Sequence, residues 1–461
     1  PSAGQLAGFD FPAGFPSAIN AVMRGRLPCL SFVLMAAFSG AAAPAPAPSP
    51  TPPTATATAY GISANPSAAN AITGTGELQK LVLDQFGVTD DHGVSLGGVW
   101  IGNSSWLISG GEQPGKVSWN SLFIADLLID LEKLTGWWQG ATFGVEFLQF
   151  NGQDTNNQAG SVQGYNSLTG HPPLDRTELY QLWIFQRLFD NRASIRIGKS
   201  LPNVDFGNVL EPATMAEKEL VIPAVSGLLY TPIFVNPTML GAVPGYYNSA
   251  CGITATVNPV DWWYAKYGFF DGSLAAGTQT GLTGPQFNGH FFNIWETGVT
   301  WRLGPDRLPG KAGTGYWLQT GPLSGPGGLA ENGTSGYYLF GSQRLWYQHP
   351  GTDDSGISGF FQFGVNQSET LPVNQYFGMG FTAFGLVPGR LKDSMGAGMS
   401  WAWLNPNLFN RSSELMFQSY YQANVWRSVY VEPAITYIPT PGAKSSLGGA
   451  WATTIQVVVL F

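Results

Sequence analysis

Along residues 120–134, "NSLFIADLLIDLEKL", Ser121, Phe123, Ala125, Leu127, Ile129 and Leu131 fall on one side of an extended chain, and Asn120, Asp126, Asp130 and Glu132 fall on the other. Side chains in a strand alternate between its two faces, so the segment reads as a strand with one oily face and one acidic face. After the reversal "TGWWQG" the ribbon resumes, with Ala141, Phe143, Val145 and Phe147 alternating with Thr142, Gly144 and Glu146. In "FGMGFTAFG", Phe377, Met379, Phe381 and Ala383 alternate with Gly378, Gly380 and Thr382, and "MSWAWL" continues the theme with Met399, Trp401 and Trp403. In "WATTIQVVVLF", Ile455, Val457, Val459 and Phe461 share a face. The pattern predicts an all-β segment over residues 93–461.

Upstream the pattern differs. "GELQKLVLDQFGV" places Leu78, Leu81, Val82 and Gln85 on one helical face and predicts a short helical segment within 75–92. The Pro/Ala/Thr-rich residues 42–74, with "PAPAPSPTPPTATATA" at their centre, cannot pack a core and read as a disordered or extended linker. Residues 23–41 read as a secretory signal peptide: Arg24 and Arg26 precede an apolar stretch, and Ser39 and Ala41 supply a small-x-small cleavage site. Residues 1–22 precede the initiator candidate Met23 and read as an upstream extension. Export is a precondition for any outer-membrane reading.

Alternation alone does not separate a soluble sandwich, whose oily face makes a core, from a membrane barrel, whose oily face meets lipid. The reversals discriminate. Trp137, Trp138, Trp262, Trp263 and Trp301 lie at or near predicted strand ends, where a bilayer interface rewards an amphipathic ring and water does not. Composition agrees: 44% of residues are hydrophobic and 11% charged, against about a quarter charged in ordinary soluble domains. Beyond the N-terminal region no run of about 20 apolar residues offers a spanning helix. The last strand, ending on the aromatic Phe461, suits closure of a sheet edge that lipid would leave unpaired. The expected fold is a transmembrane antiparallel β-barrel of the outer-membrane type, preceded by a short helix. Roughly 370 residues, at about 10 per strand plus turns, suggest 16 strands, with 14 or 18 also fitting.

The net charge of -8 argues against a nucleic-acid footprint. Cys29 falls in the segment expected to be removed, which leaves Cys251 without a partner and implies no disulfide framework. The four histidines, at 92, 171, 290 and 349, show neither metal-ligand spacing nor a nucleophile motif. "TDDHG" and "GTDDSG" lack the alternating ligands of an EF-hand loop. No catalytic residue, metal or cofactor is therefore expected, although spacing alone does not reveal a carboxylate pair for glycoside hydrolysis.

Four stretches, "DLEKLTGWWQGATF", "TELYQLWIFQRLFDNRASIRIGK", "GLVPGRLKDSMGAGMSW" and "VYVEPAITYIPTPG", resemble in content and order the OprB family of carbohydrate-selective porins, from about residue 75 to the C-terminus. The resemblance implies a 16-stranded barrel in the outer membrane of a Gram-negative bacterium, through which sugars diffuse passively with no bound cofactor. Outer-membrane lipid is the implied surround, and a homotrimer is one assembly open to such a barrel. The chain departs from the family pattern at Gln181 and Gln418, where a Glu is usual, and at Phe185, where a polar group is usual. The two lost acids would make the channel less negative and bear on which sugars pass.

A sugar offers hydroxyls and apolar C–H faces, so a selective pore wants charged forks, amides and aromatic rings on its wall. The alternation predicts Asp126, Asp130, Glu146, Gln181, Trp183, Arg196, Lys266, Glu296, Arg302 and Gln418 on the lumenal face as candidates for sugar contact. The expected interfacial anchors are Trp137, Trp138, Trp262, Trp263, Trp301 and Phe461. Arg390 and Asp393, in "PGRLKDSMG", are expected to brace a turn by pairing. Three readings remain open from the residues: a passive sugar channel, a secreted all-β carbohydrate-binding or carbohydrate-active protein, and a mainly structural barrel.

Overall fold

The structure, a computed structural model, describes residues 93–170, 175–209, 236–245, 248–276, 284–325 and 328–461. The expected extension (1–22), signal peptide (23–41), linker (42–74) and short helix (75–92) lie outside the described residues.

Strands β1 (Val94–Ser109), β2 (Val117–Asp130), β3 (Ala141–Asn151), β4 (Arg176–Leu188), β5 (Ala193–Ser200), β6 (Ala250–Val260), β7 (Trp263–Asp271) and β8 (Phe291–Leu303) form the first half of the sheet. The second half is β9 (Leu308–Ser324), β10 (Ala330–Tyr347), β11 (Gly356–Asn366), β12 (Val373–Phe384), β13 (Ser394–Leu404), β14 (Ser413–Trp426), β15 (Val429–Ile438) and β16 (Ala450–Leu460). Each pairs antiparallel with its sequence neighbours, and β1 pairs with β16, so the 16 strands make a closed barrel. At the seam Gly98 N donates to the Phe461 carbonyl at 2.8 Å and Phe461 N returns a bond to the Gly98 carbonyl at 3.1 Å. Closure satisfies backbone groups that an edge in hydrocarbon would strand.

The strand period sorts the side chains as the sequence predicts. Phe147, Phe381, Trp401 and Ile455 are exposed on the outer wall, while their neighbours Glu146, Thr382, Ala402 and Thr454 are buried on the lumenal side. Glycines on the lumenal face admit aromatic rings from the next strand. Gly144 lies opposite Trp183, Gly298 opposite Tyr264, Gly315 opposite Tyr338 and Gly396 opposite Tyr420, and at each a Cβ would overlap the ring. Small and large residues thus interlock across the ladder and flatten the rings along the wall.

Two expectations change. The strand of residues 120–134 stops at Asp130: its carboxylate accepts from Lys133 N at 3.1 Å and caps a helical turn, Leu131–Thr135, which Gly136 ends in the left-handed region at φ 77°. Leu131 and Glu132 therefore leave the strand, and Glu132 turns to accept from Gly140 N at 3.0 Å. The lumenal face is also not uniformly polar. Val99, Ile101, Leu122, Ile124, Leu148 and Phe150 point inward and form an apolar cluster with Leu168, Leu201 and Val204 from connecting segments. Segments folded inward need an apolar floor, and these strands supply it.

Connections alternate in length. One end of the barrel carries short turns such as 189–192, 304–307 and 427–428, and the other carries the long connections after β3 and β5. Three described pieces of the long connections turn into the lumen, and they shape the site.

Candidate functional site

The first piece follows β5. Leu201 is buried, Pro202 opens a single helical turn, Pro202–Asp205, and the chain continues inward to Val209. Proline suits the first position of such a turn because its missing N–H would be unpaired there anyway. Asp205 pairs with Arg196 of β5 at 2.6 Å and accepts from Thr254 Oγ1 of β6 at 3.2 Å. Lys266 of β7 donates to the Asp205 carbonyl at 2.8 Å, and Lys311 of β9 donates to the Asn208 carbonyl at 3.2 Å. Glu296 of β8 accepts from Gly207 N at 2.6 Å, Tyr264 Oη at 3.0 Å and Tyr338 Oη at 2.8 Å. Residues 205–208 are thus tied to wall strands from β5 to β9, and Tyr338 of β10 supports Glu296. Arg196 also stands 5.2 Å from the Trp183 ring centre and 5.8 Å from that of Phe185, which offsets part of the cost of desolvating a guanidinium.

The second piece follows β3. Asp154 caps the helical turn Thr155–Ala159, and the chain then crosses to β14. There Glu414 accepts from Ser161 Oγ at 2.8 Å, Val162 N at 2.9 Å and Gln163 N at 3.2 Å, and from Gly442 N of the β15–β16 connection at 2.6 Å. Further on, Gln418 donates to the Tyr165 carbonyl at 3.1 Å, and Asn166 bonds Asn103 and Ser105 of β1 at 2.9 and 2.7 Å. The third piece, 236–245, is held where Asn236 donates to the Phe363 carbonyl at 3.1 Å and Asn366 donates to the Thr238 carbonyl at 2.6 Å. Its Met239, Ala242 and Val243 join Phe206 and Val209 in a core with wall residues including Phe340, Phe360, Met416 and Tyr420. The barrel therefore encloses a packed interior in which polar ties fix the position of each piece.

The predicted lumenal residues divide by this arrangement. Arg196, Lys266, Glu296 and Gln418 face inward, and each binds an inward-folded piece. Asp126, Glu146 and Gln181 stand side by side in register on β2, β3 and β4, with Gln181 Nε2 donating to Glu146 Oε2 at 2.5 Å. Trp183 lies over Gly144 and beside Arg196. Asp130 is a helix cap at the short-turn end, and Arg302, on the same face as Glu296, sits half-buried next to the 304–307 turn. Asp205, Lys311, Tyr338 and Glu414 were not among the predicted residues. Asp205 lies in "LPNVDFGN", which carries no periodic signal, whereas Glu414 shares its parity with Gln418 in "SELMFQ" and was open to the same argument.

The aromatics expected as interfacial anchors gather at the short-turn end. Trp137 and Trp138 are exposed and stacked at 5.6 Å, Trp262 is exposed, and Trp263 and Trp301 donate to Thr297 and Gln343 at 2.8 and 2.7 Å. Phe461 stacks on Phe123 at 5.6 Å. A second set stands toward the other end: Trp106 and Trp119, the Trp401–Trp403 stack at 4.3 Å and the Tyr437–Trp451 stack at 4.3 Å. Arg390 and Asp393 pair at 2.5 Å in their turn. Among the described residues no group of three or more His, Cys, Asp or Glu is placed to hold a metal ion.

Comparison with known proteins gives concordant results. The profile of the family described as "Carbohydrate-selective porin, OprB family" matches residues 124–461. Porin B of Pseudomonas aeruginosa is 22% identical over 411 residues, covering 78% of this chain and 86% of that protein. The high-pH structure of Pseudomonas putida OprB superposes with a TM-score of 0.67 at 18% identity, covering 84% of this chain and 96% of that one. Its low-pH structure gives a TM-score of 0.51 at 16% identity, with 84% and 97% covered. A closed barrel of this strand number with a loop-filled interior and a family match across well over half the sequence leads to one conclusion: the chain belongs to the OprB family, the carbohydrate-selective porins of the Gram-negative outer membrane.

Proposed function

We propose that small neutral sugars pass through the space left between the inward-folded pieces, and that the ties of residues 205–208 to the wall set its width. The observation that carries this is the double anchorage of that piece, Asp205 on Arg196 and Gly207 on Glu296. A segment held by a buried ion pair and charge-assisted bonds keeps one position, which a filter discriminating by size requires. Asp126, Glu146 and Gln181 supply acceptors and a donor for sugar hydroxyls, and the Trp183 ring supplies an apolar face. Gln181 and Gln418, where a Glu is usual in the family, offer neutral amides to sugar hydroxyls and lessen the attraction for cations, while Asp126 and Glu146 keep acidic groups on the wall that disfavour an anionic solute. The pore is complete within one closed barrel, so the reading holds for a monomer and for a homotrimer alike.

Liposome swelling tests it. Proteoliposomes are expected to swell fast in monosaccharides, more slowly in disaccharides and slowest in a sugar acid of monosaccharide size. Equal rates for all three would contradict selectivity, and reducing-sugar release from an oligosaccharide would mark a hydrolase instead.

A further inference from the structure

Glu414 is wholly buried at the start of β14, and the four donors it accepts come from two different connections. Three are backbone N–H groups, of Val162, Gln163 and Gly442, and the fourth is the Ser161 hydroxyl. A carboxylate out of water costs several kcal/mol unless hydrogen bonds replace its hydration, and here every partner is a donor. An amide of the same shape would turn its own N–H toward some of those donors and lose them. Gln163 Nε2 adds a bond to the Glu414 backbone carbonyl at 3.3 Å. The crossing piece is then tied again, by Gln418 of β14 at the Tyr165 carbonyl and by Asn103 of β1 at Asn166.

We infer that Glu414 is a positioning residue of the pore: by gathering residues 161–163 and Gly442 onto β14 it fixes how far the β3–β4 connection reaches across the lumen, and so, together with residues 205–208 on the facing wall strands, limits the largest sugar that passes. The carboxylate acts through the connection and touches no solute. Sequence position hides the link, because the donors lie 251–253 and 28 residues away along the chain. The inference rests on the lumen being the sugar path.

The test uses Glu414→Gln and Glu414→Asp in the full chain, reconstituted into liposomes and planar lipid films, with heat-modifiable gel mobility as the check of a folded barrel. Glu414→Gln is expected to fold, to raise single-channel conductance and to narrow the difference in swelling rate between monosaccharide and disaccharide. Glu414→Asp, which keeps the acceptors, is expected to restore part of that difference. A folded Glu414→Gln with wild-type conductance and wild-type ranking overturns the inference. Should Glu414→Gln fail to fold, Ser161→Ala and Gly442→Ala replace it: the first deletes a donor, and the second places a Cβ 2.9 Å from Glu414 Oε2. Wild-type behaviour of both again overturns it. Wild-type protein that swells equally in every sugar would defeat the proposed selectivity itself, a result distinct from either.

Discussion

Tyr338 reaches Glu296 only because Gly315, opposite it on β9, leaves room for the ring. Gly315→Ala would force the ring away, with an overpacking cost of about 1–3 kcal/mol and the loss of one of the bonds that hold Glu296. The expected outcome is a lower temperature for the heat-induced gel shift and a noisier channel; an unchanged gel shift would mean that the wall yields freely at this point. Asp205→Asn leaves Arg196 buried without its counter-charge, a change that typically costs about 3–5 kcal/mol in folded interiors. Higher conductance is expected from freeing residues 205–208, and conductance equal to wild type would show that Asp205 does not restrain them. Inward placement of Arg196 and Glu296 was legible from alternation, since Ile195 and Ile197 flank the first on the outer face. Their partners were not, because a connection that folds back brings Asp205 and Gly207 to the wall without any local period.

Elements were most legible where one face meets lipid, as in β3, β12 and β16, since the outer wall demands large apolar residues at every second position. The pattern was least legible where both faces are apolar, as in β2, whose inward Leu122 and Ile124 serve the packed interior. At the end of β2 a cap decided against the strand: Asp130 and Gly136 enclose a helical turn that alternation alone had extended through Glu132. Asp130→Ala is expected to cost about 1 kcal/mol through loss of that cap, read as a small drop in the gel-shift temperature.

The β12–β13 turn carries a pH dependence. Burial alone would raise the Asp393 carboxyl, but bonds from Arg390, Tyr421 and Asn424 N outweigh it and hold the group below the ordinary carboxylate range. A depressed folded value contributes stability above the unfolded value of about 3.9 and loses it as the pH falls through the folded one. Asp393→Asn is therefore expected to lower the gel-shift temperature at pH 7 and to narrow its gap to wild type in acid below about pH 4. A gap that stays constant with pH would contradict the assignment.

At the scale of the whole molecule, the two sets of aromatics border the exposed apolar wall, with Trp137, Trp262 and Trp301 toward the short turns and Trp119, Trp401 and Trp451 toward the long connections. Bacterial barrels place short turns in the periplasm, so the inward-folded pieces enter from the outside. On the proposed reading, sugars cross the bilayer inside this wall, and the ties at Glu296 and Glu414 hold the inward-folded pieces that narrow the lumen. Membrane class was legible, and strand number to within two of 16, because composition and alternation act over hundreds of residues. The proposed filter was not, because it depends on which connections return to which strands. Single-channel recording in planar lipid films with sugar added to one side tests the account most directly. Discrete conductance steps are expected, with current that falls in a saturable manner as a monosaccharide is added and less so with a trisaccharide too large to enter. Absence of steps, or current indifferent to every sugar, would contradict it.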